Sequence, residues 1–196
     1  MLAYPVRAVQ ASGLFDRIYV STEDAEIAQV ARQLNVIVID RPPDLAQDRS
    51  TVVEVCVHAL DVDPEIDRLC CVYATAFLLR PQTLVRASAL LDTPPAADFV
   101  MGVSEYSFPP VQALKEDDNG FLSYMWPEWR AVQSQFHPHL VVSNGTFYWA
   151  RADALRRERT FCGAKTRPSL VPSEEVTDIN TEEDLTRATA QLRSSL

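Results

Sequence analysis

The chain has 196 residues, of which 47% are hydrophobic and 23% are charged, and its formal net charge is −9. This length and composition suit one α/β domain over residues 1–196 with a sizeable core, and they exclude wholesale disorder. The acidic balance argues against a nucleic-acid partner, and no apolar run approaches the roughly 20 residues of a membrane span.

Helical spacing of apolar residues appears in five segments. The first ends at Gly13, the second follows the acidic pair Glu23 and Asp24, and the third starts at a capping box of Thr51 and Glu54. The fourth begins at Pro81, and the fifth is capped by Asn180 or Thr181. The residues expected to be buried are Leu2, Pro5, Val6 and Val9, then Ile27, Val30, Ala31 and Leu34, then Val53, Cys56, Val57 and Leu60, then Leu84, Ala87, Ser88 and Leu91, and finally Leu185, Ala188 and Leu192.

Short β-rich runs separate these helices. They are Ile18–Ser21, Val36–Ile39, Leu69–Tyr73, Asp98–Val103 and Phe147–Ala150. The second and third are almost wholly apolar, as expected when helices cover both faces of a sheet. The alternation predicts a three-layer, doubly wound and mostly parallel α/β sheet.

Residues 104–144 interrupt this alternation and form a predicted inserted arm that is rich in aromatic residues. Asn119-Gly120 between two apolar runs predicts a hairpin. The arm is expected to be a ligand lid or a dimer contact, and Trp126, Trp129 and Phe136 favour a homodimer.

The four cysteines indicate a reduced, cytoplasmic protein. Cys56, Cys70, Cys71 and Cys162 form no CxxC pair and no zinc-site spacing with histidine. The N-terminus also lacks the charged-then-apolar pattern of a secretory signal.

Ligands of open α/β sheets bind beyond the carboxyl ends of the strands. That rule selects Ser21-Thr22, Arg41, Ala74–Arg80, Val103–Glu105 and the segment around Asp178. Arg41, Arg49 and Arg80 could hold phosphates or a carboxylate, although each could equally be a solvated surface charge.

Asp178 and Asn180 place two oxygen-bearing side chains on the same side of an extended segment, which suits a hard cation such as Mg²⁺. The alternative is an ordinary helix start, since Asn180 to Asp184 reads as a cap followed by an acidic first turn. His137-Pro138-His139 has no third ligand nearby and is interpreted as a loop. The residues alone therefore predict an α/β domain that binds a small molecule.

Four motifs follow one another along the chain: MLAYPVRAVQASGLFDRIYVSTED, Arg41 to Thr51, CCVYATAFL and VTDINTEED. In this order they resemble the acylneuraminate and pseudaminic acid cytidylyltransferases, and the resemblance implies a nucleotide-diphospho-sugar transferase-like fold. MLAYPVRAVQASGLFDRIYVSTED at the start resembles their first helix and the following strand. Arg41 to Thr51 is similar to their RP–LA–D–S/T segment, and VTDINTEED near the end is similar to their metal-binding motif. CCVYATAFL, Trp126-Pro127-Glu128, Ser134-Gln135 and Phe147-Tyr148-Trp149 look most like the pseudaminic acid branch.

The resemblance implies transfer of CMP from CTP to a nine-carbon nonulosonic acid, with release of pyrophosphate and with Mg²⁺ as cofactor. It implies that Asp178 is the catalytic residue and holds Mg²⁺ together with Asn180. It implies that Arg41, Thr75 and Arg80 bind the nucleotide. It also implies that the sugar acid is bound by Asn144, Gly145, Phe147 and Tyr148.

The sequence also departs from the family. The family opens with a central strand and a glycine-rich phosphate loop, whereas none of the five glycines here precedes the first helix. The first strand is therefore expected to be missing, its neighbours to lack a pairing partner, and CMP transfer by this chain to be impaired. Asn180 stands where the family has a second metal-binding aspartate, and Asn144-Gly145 resembles the sialic acid branch instead.

Three hypotheses follow. The first is a nonulosonic-acid cytidylyltransferase whose true start lies upstream of Met1. The second is a non-catalytic relative that acts as a sugar- or nucleotide-binding module or as a dimerisation module. The third is a nucleotidyltransferase for a different sugar acid.

Overall fold

The computed structural model describes residues 1–177, 179 and 181–194, apart from the side chains of residues 185, 187, 193 and 194. Its helices are α1 (Ala3–Ser12), α2 (Ala25–Gln33), α3 (Val52–Val62), α4 (Pro81–Asp92), α5 (Ala152–Glu158) and α6 (Glu182–Ser194). Its strands are β1 (Tyr19–Thr22), β2 (Ile37–Asp40), β3 (Arg68–Val72), β4 (Phe99–Glu105), β5 (Leu114–Glu116), β6 (Leu122–Tyr124), β7 (Val141–Arg151) and β8 (Thr166–Leu170).

Local capping explains where the predicted helices begin and end. Gly13 ends α1 in the left-handed conformation, with φ of 66°. The Asp24 carboxylate accepts two backbone N–H bonds at the start of α2, and the capping box of Thr51 and Glu54 is present at α3. These predictions are confirmed.

The described strands form two main sheets. β1 and β2 pair in parallel, and a four-stranded sheet has the order β3-β7-β4-β8. β4 and β8 are parallel, whereas β7 runs antiparallel between β3 and β4. Three of the four strands in the larger sheet therefore point the same way, which agrees with an α/β sheet of mostly parallel strands.

Helices cover both faces of the larger sheet, which gives three layers. Along β7, Phe147 and Trp149 pack in the core beneath α1 and α4, while Tyr148 and Ala150 pack in the core beneath α3 and α5. This alternation follows from the two-residue period of a strand. Leu84, Ala87 and Leu91, predicted for the buried side of α4, are fully buried.

The sheet is interrupted between β1 and β3, since among the described residues no strand pairs with the second edge of either one. β3 is only half-buried, although Cys70 and Val72 face one core and Leu69 and Cys71 face the other. Its residual exposure therefore comes from its open edge. The interruption lies where the sequence predicts that a central strand is missing.

Contacts outside the strands hold the two sheets together. Helix α1 contributes Val6 to the core of the smaller sheet and Val9 to that of the larger one. At the start of β1, the Tyr19 hydroxyl donates a hydrogen bond to Asp63, which follows α3, and Arg17 forms a 2.6 Å ion pair with the same carboxylate. The Tyr19 hydroxyl and the Arg17 guanidinium hold the pKa of Asp63 below its usual range, because both favour its charged form.

Two predictions about burial are wrong. Ile27 and Val30 of α2 are 44% and 41% exposed, and α2 instead packs through its small residues Ala28 and Ala31. Ile37 of β2 is also exposed. The physical reason is that β2 is an edge strand, so apolar side chains on this flank meet solvent rather than a covering layer.

Between β4 and β7 the chain forms the β5–β6 hairpin and three short 3₁₀ turns. Gly120, with φ of 83°, lies in the hairpin turn predicted from Asn119-Gly120. All residues of β5 and β6 are exposed.

In the described part of the chain, no helix is both long enough and apolar enough to cross a membrane.

Candidate functional site

The loop that follows β3 forms one wall of the candidate site. Backbone pairing with β7 continues one residue past β3, because the Tyr73 N–H donates to the Thr146 carbonyl over 3.1 Å. The chain then turns at Ala74 and Thr75, and Thr75 is half-buried. Thr75 thus lies beyond the carboxyl end of β3, where the sheet topology places ligands.

The segment before α6 is tied to this loop by two side chains. The Thr177 hydroxyl donates to the Thr75 carbonyl. The Glu175 carboxylate, 2% exposed, accepts the Arg80 N–H at 2.9 Å and the Thr83 hydroxyl at 3.0 Å. The N-terminus of α4 and the Thr83 hydroxyl thereby supply hydrogen bonds to both oxygens of this buried side chain.

A wide bulge in β7 forms the opposite wall. Met101 pairs with Tyr148 and Val103 with Ser143, so β7 holds three additional residues at this point. The Asn144 amide closes the bulge by accepting the Thr146 N–H and donating to the Ser104 hydroxyl.

Two glycines make room for the bulge. Gly145 adopts φ of 65°, a conformation that glycine tolerates best. Gly102 of β4 lies directly against the bulge, since a Cβ atom there would be 3.3 Å from both the Asn144 Oδ1 and the Phe147 carbonyl oxygen.

Phe147 and Tyr148, the two aromatic residues predicted for the sugar side, have different environments. Phe147 is fully buried in the core, so it supports β7 from beneath and does not line the surface. Tyr148 is half-buried, shares a 2.7 Å hydrogen bond with the Ser143 hydroxyl and stacks on Phe161 at 4.9 Å. The Tyr73 ring meets the Tyr148 ring edge-on, with centroids 5.9 Å apart.

Arg41 lies apart from these residues, after β2 in the smaller sheet. Its guanidinium donates to the carbonyl and the hydroxyl oxygen of Ser21 and lies 3.7 Å from the Glu23 carboxylate. Arg80, at the N-terminus of α4, has a side chain that is 55% exposed. Backbone pairing thus joins Tyr73, two residues before Thr75, to Thr146, the residue after Gly145, whereas Arg41 follows β2 of the smaller sheet.

The predicted metal ligands Asp178 and Asn180 lie outside the described residues. Within the described ranges, no three His, Cys, Asp or Glu side chains could hold a metal ion together. The donor chemistry of Asp178 and Asn180 fits Mg²⁺, which prefers oxygen ligands, but it supplies one carboxylate rather than two. Thr177, the residue before Asp178, is anchored at Thr75.

Sequence reasoning missed Tyr73, Ser143, Glu175 and Thr177. The bulge could have been predicted from the sequence, because a glycine inside a strand often marks a β-bulge. Gly145, in Ser143-Asn144-Gly145, is such a glycine. No local signal could identify Glu175, since its partners Arg80 and Thr83 are more than 90 residues away.

The chain is similar to known proteins in sequence and in fold. The sequence model of a family described as cytidylyltransferase matches residues 1–115. A pseudaminic acid cytidylyltransferase of Campylobacter jejuni serotype O:23/36 is 26% identical over 191 residues, which covers 94% of this chain and 82% of that protein.

Two further proteins extend the comparison. A Helicobacter pylori protein that combines pseudaminic acid cytidylyltransferase with a sugar-nucleotide hydrolase is 27% identical over 163 residues. That match covers 81% of this chain, which spans about a third (31%) of that longer relative. The solved structure of a CMP:2-keto-3-deoxy-manno-octonic acid synthetase complexed with CTP superposes with a TM-score of 0.66 at 12% identity. It covers 99% of this chain and 88% of that one, and at this identity it shows the fold alone.

Proposed function

We propose, since the chain belongs to the cytidylyltransferase family, that it transfers CMP from CTP to a nonulosonic acid of the pseudaminic or sialic type. In this reaction the anomeric hydroxyl of the sugar acid attacks the α-phosphorus of CTP, a P–O bond to the sugar forms, and pyrophosphate leaves. The observation that carries the proposal is the family match. It is supported by the fold, because backbone pairing past the end of β3 brings the loop that contains Thr75 next to the bulge that contains Gly145.

We assign each proposed site residue one role. Arg41 would lie near the cytosine, and Thr75 would line the cleft between nucleotide and sugar. Arg80 would attract the phosphates, because its exposed guanidinium can form charge-assisted hydrogen bonds with them. Asp178 and Asn180 would hold Mg²⁺, which neutralises triphosphate charge when bound.

On the sugar side, Gly145 would let the ligand approach the backbone, since an open space surrounds the position where a Cβ atom would lie. Tyr148 would contact the sugar, whereas Asn144 and Phe147 would keep the bulge in shape. Preassembled positioning of this kind lowers the barrier of a bimolecular reaction.

The test is incubation of the chain with CTP, Mg²⁺ and either pseudaminic acid or N-acetylneuraminic acid. We expect the CMP-sugar, detected by mass spectrometry, with an equal amount of pyrophosphate, and no product when UTP replaces CTP. Absence of CTP binding in calorimetry would contradict the proposal.

A non-catalytic binding module is the second candidate. Two features favour it: among the described residues β1 and β3 each have one edge without a pairing strand, and the resemblance to the family implies a second metal-binding carboxylate at the position of Asn180. CTP binding in calorimetry without any CMP-sugar product would favour this candidate over the enzyme.

We also propose that residues 104–144 are an arm through which the protein forms a homodimer. Phe108, Phe121 and Phe136 are 84%, 72% and 69% exposed, which is unusual for three phenylalanines in one segment. The same arm has an apolar concavity of about 360 Å³, whose lining includes Tyr106, Pro110, Val111, Trp126, Trp129, Pro138, Leu140 and Val141. Exposed aromatics beside an apolar concavity are typical of protein interfaces.

Light scattering is expected to find a dimer at micromolar concentration. Replacing Phe108 and Phe136 together by glutamate should shift it to the monomer, because charged groups are costly in an interface core. Val62→Glu, which changes an exposed apolar residue at the end of α3, is the control and should leave the dimer intact. A wild-type protein that is wholly monomeric would contradict this proposal.

A further inference from the structure

A slot separates the unpaired edges of β1 and β3. Nearly all Cα–Cα distances between these two strands exceed 8 Å, which excludes direct pairing and is compatible with one intervening strand, whose two neighbours would lie about 9.6 Å apart. Contacts on both sides keep the edges close to each other. The Phe15 ring, just before β1, stacks on Trp149 of the larger sheet with centroids 5.3 Å apart, and the Tyr19 hydroxyl donates to Asp63 after α3.

The backbone of β3 directs hydrogen-bonding groups into the slot. Successive residues of a strand present their N–H and C=O groups to opposite edges. The Tyr73 N–H donates to Thr146, so Cys71, two residues earlier, also faces β7. Cys70 and Val72 therefore present their N–H and C=O groups to the slot.

The first half of β1 does the same from the other side. The Ile18 carbonyl accepts a backbone N–H of β2, so Val20 faces β2 as well. Tyr19, which lies between them, therefore presents its backbone groups to the slot. The Ser21 carbonyl, at the same edge, already accepts the Arg41 guanidinium, so the unpaired part of β1 is the part around Tyr19.

Apolar layers border both faces of the slot. On one face Cys70 and Val72 pack in the core that contains Val9 of α1. On the other face Leu69 and Cys71 pack in the core that contains α3. A chain in the slot would lie between helical layers, so its side chains would have to be apolar on both faces, as in a buried strand of a parallel sheet.

We infer that the slot binds a short, extended, apolar segment of a different polypeptide, which inserts between β1 and β3 as an additional strand. Unpaired donors and acceptors along two strand edges are matched by an extended backbone, whereas a helix bonds its own backbone groups internally. The segment would contain four or five residues, because β1 has four residues and β3 has five. The inference goes beyond the proposed function and does not depend on CMP transfer.

The test measures backbone amide exchange by NMR on the full, isotope-labelled chain. The probe is the peptide acetyl-Lys-Val-Ala-Val-Ile-Ala-Lys-amide, whose lysines complement the net charge of −9. We expect the amides of Tyr19, Cys70 and Val72 to exchange at least about tenfold more slowly when the peptide is present. The amides of Val20 and Cys71 face the existing partner strands and are the internal controls, which should change less than about twofold.

A proline variant tests the backbone contact itself. Val72→Pro removes an N–H that faces the slot, and proline is tolerated at an open strand edge. It should raise the Kd of the peptide about tenfold. Leu170→Pro is the matched control on the edge strand β8, because the Val171 N–H donates to Val103 and Leu170 therefore faces away from β4. This control should leave the Kd unchanged.

Circular dichroism checks that both variants are folded. A probe with proline in place of its central valine provides the same test on the wild-type chain, to which it should bind about tenfold more weakly. Unchanged exchange at Tyr19, Cys70 and Val72 with millimolar peptide would overturn the inference. Protection of these amides that rises with protein concentration in the absence of peptide would assign the slot to a second copy of this chain and would also overturn it.

Discussion

Replacing Glu175 by alanine is expected to lower the free energy of unfolding by about 4 kcal/mol. The carboxylate is fully buried and accepts hydrogen bonds from the Arg80 N–H and the Thr83 hydroxyl. Alanine would leave both donors buried without these acceptors and would add a cavity. Urea unfolding followed by circular dichroism measures the change.

The neighbouring Glu174→Ala is the matched control, because that side chain is 54% exposed and lies 4.0 Å from the Arg80 guanidinium. It should change the unfolding free energy by less than about 0.5 kcal/mol. Glu175→Gln keeps one hydrogen-bond acceptor, so it should lower the free energy of unfolding more than Glu174→Ala does and less than Glu175→Ala does. Equal effects of Glu174→Ala and Glu175→Ala would show that burial of Glu175 does not matter.

Asp178→Ala is expected to reduce Mg²⁺-dependent CMP transfer at least about 100-fold, and chelation of the metal should do the same to the wild-type protein. The proposed reason is that Asp178 supplies the single carboxylate of the metal site. Asn180→Asp should act in the opposite direction and lower the Mg²⁺ concentration needed for half-maximal CTP binding about tenfold, because a second carboxylate strengthens a hard-cation site.

Glu183→Gln is the control for both variants, since it alters an exposed carboxylate of α6 outside the proposed site. Calorimetry with CTP at several Mg²⁺ concentrations measures the metal dependence separately from turnover. Full transfer by Asp178→Ala at low Mg²⁺ would contradict the assignment, as would an Asn180→Asp protein with the same Mg²⁺ dependence as the wild type.

Sequence signals that span only a few residues correctly predicted where the helices begin and end. The cap at Gly13 and the box of Thr51 and Glu54 depend only on backbone groups nearby, so the chain itself specifies them. The last helix is similar, because Thr181 and Asp184 form reciprocal hydrogen bonds at its start.

The features that the sequence did not predict depend mostly on contacts between residues that are far apart in the chain. Strand β8 contains Pro168 and gives a weak strand signal, and it forms because β4 offers a parallel edge. Helix α5 is a seven-residue helix with too few turns for a clear apolar period. The exposure of Ile37 likewise reflects the edge position of β2, which periodicity does not report.

The sequence by itself determined the α/β alternation, the helix caps, the hairpin and the family, because each depends on short-range patterns or on motifs in order. Only the tertiary structure decided that β7 runs antiparallel to its neighbours, that Phe147 is buried beneath the bulge, and that the Tyr148 side chain contacts both Tyr73 and Ser143. Such contacts join residues far apart in the chain, and their geometry depends on strand order and on a bulge, neither of which changes local hydrophobic spacing.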